Sequence, residues 1–166
     1  MMHTNYTVKE SPPSAEDFTS LRKLIGWSNP CLSVVQKSID ASLFSATIYL
    51  DNNLVGCGRV IGDGAMYFYI QDVIIHPEHQ NKGLGSKIMN TLIAHLESCC
   101  APGATIGLLA AHGKESFYLN KANETIRKVV SLSMRGVRAR SASAPIMEIV
   151  TGFAIAGIIF YAGGKS

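Results

Sequence analysis

The fold is decided by MYFYIQDVII at residues 66–75 and by QNKGLG at residues 80–85. The first segment is long, aromatic and β-branched, and only Gln71 and Asp72 interrupt its apolar character, which predicts a central β-strand. A proline ends that strand, and a polar, glycine-bearing loop precedes an apolar helical pattern that begins at about Ser86. The two segments therefore predict a strand, a glycine loop and a helix in succession.

The sequence on either side of this segment predicts further helices and strands. Downstream, the helical pattern stops before Pro102-Gly103 and a strand follows. Upstream, two helices are expected, with Ser14 and Asn29 as their N-caps. The predicted ranges are a strand at 6–8, helices at 14–25 and 29–41, strands at 44–50 and 54–61 that form a hairpin, and a strand at 105–111.

Composition indicates a folded module with a segment of different charge attached. The chain has 166 residues, of which 47% are hydrophobic and 16% charged, so it can bury a core and is not disordered as a whole. Residues 1–118 carry 8 Lys and Arg against 10 Asp and Glu, whereas residues 119–166 carry 7 against 2. Because such a change of sign often separates a module from an attachment, we predict a domain over 1–119 and a basic, apolar tail over 120–166.

The cysteines predict a reducing environment and no metal site. Cys31, Cys57, Cys99 and Cys100 form no C-x-x-C pair and have no histidine spacing typical of zinc. The first residues are polar and do not resemble a secretory signal. The sequence therefore predicts free thiols and a cytoplasmic location.

A glycine pair at the start of a helix predicts an anion site. Gly83 and Gly85 leave room for a ligand beside free backbone N–H groups and the positive end of the helix dipole. Polar or basic side chains surround them at Gln80, Asn81, Lys82 and Ser86. Neither the P-loop pattern nor the Rossmann fingerprint is satisfied. Taken alone, the glycine pair is equally compatible with a tight turn.

The whole of residues 80–85 is more specific, because it fits Q/R-x-x-G-x-G/A behind a long apolar strand. It resembles motif A of the GNAT family of N-acetyltransferases. Ser116-Phe117-Tyr118 resembles the phenylalanine-tyrosine pair that this family carries on the helix after the next strand. The resemblance implies an α/β (α+β) fold with a mixed, mainly antiparallel sheet flanked by helices, here followed by an atypical helical C-terminal segment.

The resemblance also implies acetyl-coenzyme A as the cofactor. Its pantetheine arm would pair with the central strand near Val73 and Ile75, as an added strand does. A backbone N–H near the thioester oxygen would then stabilise negative charge. Its pyrophosphate would be held by the backbone amides of Gln80, Asn81, Lys82, Gly83, Leu84, Gly85 and Ser86.

Catalytic roles follow from the same resemblance and from the strand. Tyr118 matches the family's general acid, since a phenol with a pKa of about 10 can protonate a departing thiolate; the alternative is a packed tyrosine. Asp72, a carboxylate in an apolar strand, is a candidate general base, with an ion pair or a cap as the alternative. Tyr69 and Gln71 are predicted to line the acceptor site, where water could relay the proton. His79 is a further candidate base, or part of a solvated loop.

Residues 119–166 depart from the family pattern. A family member would continue with two strands that complete the sheet, whereas here a basic helical pattern leads to an apolar run over 146–162 that contains Glu148. At about 17 residues, this run lies at the lower limit for a membrane-spanning helix. With SMRGVRAR at residues 133–140 ahead of this glycine-rich apolar run, residues 120–166 resemble part of the membrane domain of a bacterial ABC exporter. A chimeric join, a divergent acetyltransferase end and a membrane-associating extension all remain as interpretations.

The sequence thus predicts an acetyl-coenzyme A-dependent N-acetyltransferase that acts on a primary amine of a small molecule, or less readily of a protein. The alternatives are a catalytically weak acyl-coenzyme A-binding module and a chimeric fragment with a membrane-associating tail. No nucleic-acid partner is expected, because the basic helix lacks supporting motifs. Membrane contact would involve only the tail, and the oligomeric state is open, with a homodimer as one outcome.

Overall fold

The computed structural model describes residues 5–108 and shows a mixed sheet with helices on both faces. This confirms the predicted fold class. The helices and strands are β1 (Tyr6–Lys9), α1 (Ala15–Leu24), α2 (Leu32–Asp40), β2 (Phe44–Leu50), β3 (Asn53–Gly62), β4 (Tyr67–Ile75), a short 3-10 turn (Pro77–His79), α3 (Leu84–Cys99) and β5 (Thr105–Leu108).

The five strands lie in the order β1-β2-β3-β4-β5. The pairs from β1 to β4 are antiparallel, and β5 pairs with β4 in parallel. The turn between β2 and β3 has positive φ at Asp51 and Asn52, as a two-residue hairpin turn of type I′ requires. The parallel pair needs a crossover, and α3 supplies it. The glycine loop therefore lies at the start of the crossover that connects two neighbouring strands, β4 and β5.

Side chains alternate between the two faces of the sheet and build two apolar layers. On one face, α3 buries a stripe that includes Ile88 and Leu92, each 0% exposed, against strand residues such as Ile70. On the other face, α1 and α2 pack against Cys57 and Ile74. Burial of each large aliphatic side chain contributes about 1.5–3 kcal/mol, so the α3 layer fixes the helix that follows the glycine loop.

A glycine in β3 lets α3 approach the sheet closely. A Cβ at Gly58 would lie 2.6 Å from Cγ2 of Ile88 and 3.0 Å from Cδ1 of Leu92. Real Cβ atoms do not approach other atoms so closely, so a side chain here would push α3 outward. The position of α3, including its first turn, therefore depends on the absence of a side chain at Gly58.

Two predicted helix starts are wrong, for identifiable reasons. Helix α2 begins at Leu32 with Cys31 as its N-cap, because the side chain of Asn29 is used elsewhere: it accepts from Nε of Arg22 at 2.8 Å and donates to the Thr19 carbonyl at 3.1 Å. Helix α3 begins at Leu84 rather than near Ser86, because the loop ends at a left-handed Gly83. Gly85 therefore belongs to the first turn of α3.

Several predictions fall on residues that the structure does not describe. These are the end of the last predicted strand, the Ser116-Phe117-Tyr118 motif and the tail over 120–166. Within residues 5–108, no helix is long and apolar enough to cross a membrane.

Candidate active site

The glycine loop turns sharply into α3 through two left-handed residues, Asn81 with φ +59° and Gly83 with φ +75°. Within the described part of the chain, no side chain caps the helix that follows. The N–H groups of Leu84, Gly85 and Ser86 have no carbonyl acceptor inside the helix, as in any first turn. The loop thus presents several backbone donors and the positive end of the helix dipole together.

The space and charge in front of these donors suit a pyrophosphate. A Cβ at Gly83 would meet no described atom within 4 Å. The first turn of α3 holds no acidic side chain, and the exposed Lys82 and Lys87 lie on either side of it. The predicted phosphate-binding residues are therefore brought together in a geometry that fits the group.

A histidine-rich turn precedes the loop and connects it to β1. Nδ1 of His79 lies 3.0 Å from the Tyr6 hydroxyl, and Nδ1 of His76 accepts from the Glu78 N–H at 3.3 Å. Burial, together with the positive charges of Lys82 and His76, lowers the pKa of His79. His76, Glu78 and His79 bring possible metal-ligand atoms within 4.8 Å of one another, but a metal ion would have to compete with these hydrogen bonds.

Strand β4 contains a bulge opposite Gly58. Cys57 faces Ile74 and Arg59 faces Gln71, so that Asp72 and Val73 together oppose a single residue of β3. Asp72 has φ +50°, which is uncommon for a residue with a side chain. The bulge changes the direction of β4 in the middle of the sheet.

The carboxylate of Asp72 lies between two arginines. Oδ1 accepts from Nη1 of Arg22 at 2.6 Å, and Oδ2 accepts from Nε of Arg59 at 2.7 Å. The Asp72 side chain is only 8% exposed. The ion pair that the sequence left as an alternative for Asp72 is therefore present; its role as a general base stays a prediction.

Beyond the bulge, β4 has an edge without a partner strand among residues 5–108. The described parallel pairing with β5 covers Tyr67–Ile70 and Thr105–Leu108. The His76 N–H donates to the Val55 carbonyl on β3 at 2.8 Å, so alternation directs the backbone groups of Val73 and Ile75 to the opposite edge. On that edge the Ile75 carbonyl accepts from Nε2 of Gln80 at 3.1 Å.

A sequence model of the acetyltransferase (GNAT) family matches residues 9–118. The chain belongs to this family. Its fold is similar to that of a probable acetyltransferase of unknown function from meticillin-resistant Staphylococcus aureus, with a TM-score of 0.68 and 25% identity over 86% of this chain and 98% of that chain.

Other relatives agree with the family assignment. An uncharacterized N-acetyltransferase, ycf52, of Gracilaria tenuistipitata var. liui is 33% identical over 84 residues, which are 48% of this chain and 46% of that protein. The chain spans about half the length of the curated relatives it matches. N-acetylglutamate synthase from Neisseria gonorrhoeae, solved with coenzyme A and L-arginine, shares the fold at a TM-score of 0.53 and 17% identity, over 69% of this chain and 26% of that chain.

The predicted acceptor residues of this GNAT chain lie on the face of β4 that α1 and α2 cover. Phe68 and Ile70 point into the α3 layer, so Tyr69 and Gln71 point to the other side. Tyr69 is 40% exposed and its ring lies against Gly107, while Gln71 is half-buried beside the bulge. The structure thus places both side chains on the same face as the Arg22–Asp72–Arg59 cluster.

The predictions for Tyr118 and for the tail concern residues that the structure does not describe. Tyr118, the predicted general acid, is the last residue of the family match. Residues 119–166 lie beyond that match, so the resemblance to an exporter membrane domain and the chimeric join stay predictions.

Sequence reasoning missed the two arginines. Arg59 is a lone charge within the apolar strand β3, and that isolation was a usable signal. Arg22 gave no signal, because a basic residue in the last turn of a helix is ordinary. Besides Asp72, its guanidinium contacts the side chain of Asn29 and lies 5.0 Å from the Trp27 ring centroid.

Proposed function

We propose that this chain transfers an acetyl group from acetyl-coenzyme A to a primary amine of a small molecule. One observation carries the proposal: the backbone donors at the start of α3 lie directly after the strand whose outer edge lacks a partner among residues 5–108. A cofactor with a pyrophosphate and an amide-bearing arm can use both at once. The proposal concerns the predicted domain over 1–119.

The glycine loop would bind the pyrophosphate through backbone N–H groups. Gln80, Asn81, Lys82 and Gly83 form the approach, and Leu84, Gly85 and Ser86 supply the first turn of α3. Lys82 adds positive charge that attracts the anion. The open space at Gly83 supports this assignment, since a phosphate oxygen can approach the backbone there without meeting a side chain.

The outer edge of β4 would bind the pantetheine arm. Backbone groups of Val73 and Ile75 are directed to that edge, where an extended amide chain can pair with them as a strand would. The side chain of Gln80, which donates to the Ile75 carbonyl, would have to give way to or share this acceptor. Bound there, acetyl-coenzyme A supplies a thioester that is activated toward amines.

Transfer requires an N–C bond to form, the C–S bond to break, and one proton to move from nitrogen to sulfur overall. Tyr118 would donate a proton to the departing sulfur. On the acceptor side, Tyr69 and Gln71 would orient the amine, and water would relay its proton away. Small amines suit this arrangement, and a protein amine is the second choice.

One property of the chain supports the predicted cytoplasmic location. All four cysteines, which lie within the described residues, are free thiols. Reduced thiols are typical of the cytoplasm. The homodimer and the membrane contact of the tail stay predictions.

The test is calorimetric titration of the full chain with acetyl-coenzyme A, followed by a transfer assay with a panel of small primary amines. Loss of the thioester absorbance is the suitable signal, because thiol reagents would also react with the exposed Cys31 and Cys99. We expect binding and transfer to at least one amine. Binding without transfer to any amine or peptide would instead favour the acyl-coenzyme A-binding module, and no binding would refute the proposal.

The role of Tyr118 is tested by Tyr118→Phe. We expect unchanged affinity and a slower transfer, since only the proton donor is removed. Tyr49→Phe, on β2 away from the glycine loop, is the matched control and should transfer at the wild-type rate. An unaltered rate in Tyr118→Phe would remove Tyr118 from the mechanism.

A further inference from the structure

The bulge in β4 contains Asp72, which has a backbone conformation that is unfavourable for a residue with a side chain. Asp72 has φ +50°, in the left-handed region that disfavours any residue with a Cβ, although aspartate and asparagine tolerate it better than alanine does. Such conformations persist where surrounding contacts determine them. The contacts of Asp72 are therefore what keeps β4 in this shape.

Those contacts come from two different parts of the fold. Arg22 extends from α1 and Arg59 from β3, and their guanidinium groups bind one carboxylate oxygen each, at 2.6 and 2.7 Å. The side chains are 21% and 13% exposed, and that of Asp72 is 8% exposed. In a site so poorly hydrated, removal of one partner leaves an uncompensated charge. The carboxylate is thus fixed from both sides.

Each arginine also binds a backbone carbonyl on the face of the sheet that α1 and α2 cover. Nη2 of Arg22 donates to the Ser28 carbonyl at 3.2 Å, in the connection between α1 and α2. Nη1 of Arg59 donates to the Ser38 carbonyl at 2.7 Å, near the end of α2. Through Asp72, both helical segments are connected to the bulge.

The same geometry makes Asp72 unsuited to take a proton from an amine. Both of its carboxylate oxygens already accept charge-assisted hydrogen bonds, which are about twice as strong as neutral ones. To act as a base, the carboxylate would have to give up one of the two arginines. Its contacts are those of a group that holds a backbone conformation.

We infer that Asp72 is a positioning residue: through Arg22 and Arg59 it fixes the bulge that directs the Val73 backbone toward the thioester carbonyl. This inference rests on the proposed function, because it needs acetyl-coenzyme A to bind along β4. Asp72 then acts before any amine arrives, by setting the direction of a hydrogen-bond donor. A misplacement of about 1 Å at a reacting centre costs roughly a hundredfold in rate.

Substitutions at position 72 separate conformation from charge. Asp72→Gly removes the carboxylate but allows the left-handed backbone without strain, whereas Asp72→Ala removes the carboxylate and disfavours that backbone. A general base is lost equally in both variants. A positioning role is weakened in the glycine variant, which allows the conformation but lacks both arginine contacts, and it is lost more fully in the alanine variant.

The readout is the infrared stretch of the thioester carbonyl in bound, carbon-13-labelled acetyl-coenzyme A, which requires no amine. In the wild-type chain we expect the stretch to shift to lower frequency on binding, because a backbone donor polarises the carbonyl. Asp72→Gly, which allows the left-handed backbone but lacks both arginine contacts, should keep part of this shift, and Asp72→Ala should lose most of it. Transfer to an amine found in the panel should be roughly a hundredfold slower in Asp72→Ala and partly recovered in Asp72→Gly.

Arg22→Gln is the milder variant if the substitutions at position 72 prevent folding, which thermal unfolding would show. It leaves the carboxylate and removes one of its two anchors, so we expect an intermediate carbonyl shift. A wild-type carbonyl shift in Asp72→Ala or in a folded Arg22→Gln would overturn the positioning role. A wild-type chain that binds no acetyl-coenzyme A would refute the proposed function itself and this inference with it.

Discussion

Replacement of Gly83 with alanine distinguishes backbone strain from cofactor binding at the glycine loop. Gly83 has φ +75°, and a Cβ there would meet no described atom within 4 Å. The added methyl group therefore costs the folded chain only the left-handed strain of an L-residue, about 1–2 kcal/mol. At the same time it fills the open space where a phosphate would approach the first turn of α3.

We expect the affinity for acetyl-coenzyme A to fall by roughly 10- to 150-fold in Gly83→Ala. This range corresponds to the loss of one hydrogen bond to a charged group, about 1.5–3 kcal/mol. Calorimetric titration measures the affinity, and urea unfolding measures the smaller loss of stability. A bulkier residue, as in Gly83→Val, should abolish measurable binding.

Gly103→Ala is the matched control, because Gly103 has φ +88° and equally open space but follows the far end of α3. It should lose about the same stability as Gly83→Ala and keep wild-type affinity. Gly83→Asn is a second comparison, since asparagine tolerates the left-handed conformation. It should recover stability without recovering affinity. Wild-type affinity in Gly83→Ala would show that no anion binds against this backbone.

Three further predictions concern packing, thiol reactivity and acid sensitivity. Gly58→Ala should lower the free energy of unfolding by about 1–3 kcal/mol in urea, because its Cβ would overlap Ile88, and adding Ile88→Ala should cost less than the two single losses combined. Iodoacetamide should modify the exposed Cys31 first, because a hydrogen bond with Ser33 lowers the pKa of its thiol. Cys57 should stay unmodified until the chain unfolds, because burial raises its pKa. Peptide mass spectrometry measures the order, and earlier modification of Cys57 would contradict the prediction. The pKa of His79 is lower in the folded chain than in the unfolded chain, where it is about 6.5. Its contribution to the free energy of unfolding should therefore be complete above about pH 6.5 and decrease as the pH falls through the folded pKa. The urea midpoint of His79→Gln should accordingly depend less on pH than that of the wild type.

Local patterns in the sequence were sufficient to predict the strands and the glycine loop. Strand β2 was predicted with its observed bounds, Phe44–Leu50, because an alternating apolar run ends at an Asp-Asn turn that needs positive φ. The glycine loop was found because the whole of residues 80–85 fits a pattern that is more specific than its glycine pair alone. In both cases the determining interactions lie within about ten residues.

The Asp72 cluster could not be predicted in the same way. Arg22 and Asp72 are separated by 50 residues, and their contact depends on how α1 packs on the sheet. The left-handed conformation of Asp72 follows from that packing and from the bulge, not from a glycine that would indicate it. The start of α2 was misjudged for a related reason, because tertiary hydrogen bonds engage the Asn29 side chain.

The hydrogen bond between Tyr6 and His79 has a practical consequence for anyone who shortens this protein. The family match begins at residue 9, so a version trimmed to the matched residues would keep the whole glycine motif and lose Tyr6. The turn before the loop would then lack the contact that holds it against β1, 73 positions away in the chain. A trimmed protein that binds acetyl-coenzyme A poorly would therefore point to the loss of β1 and of its contact with the turn before the loop, with the binding motif itself intact.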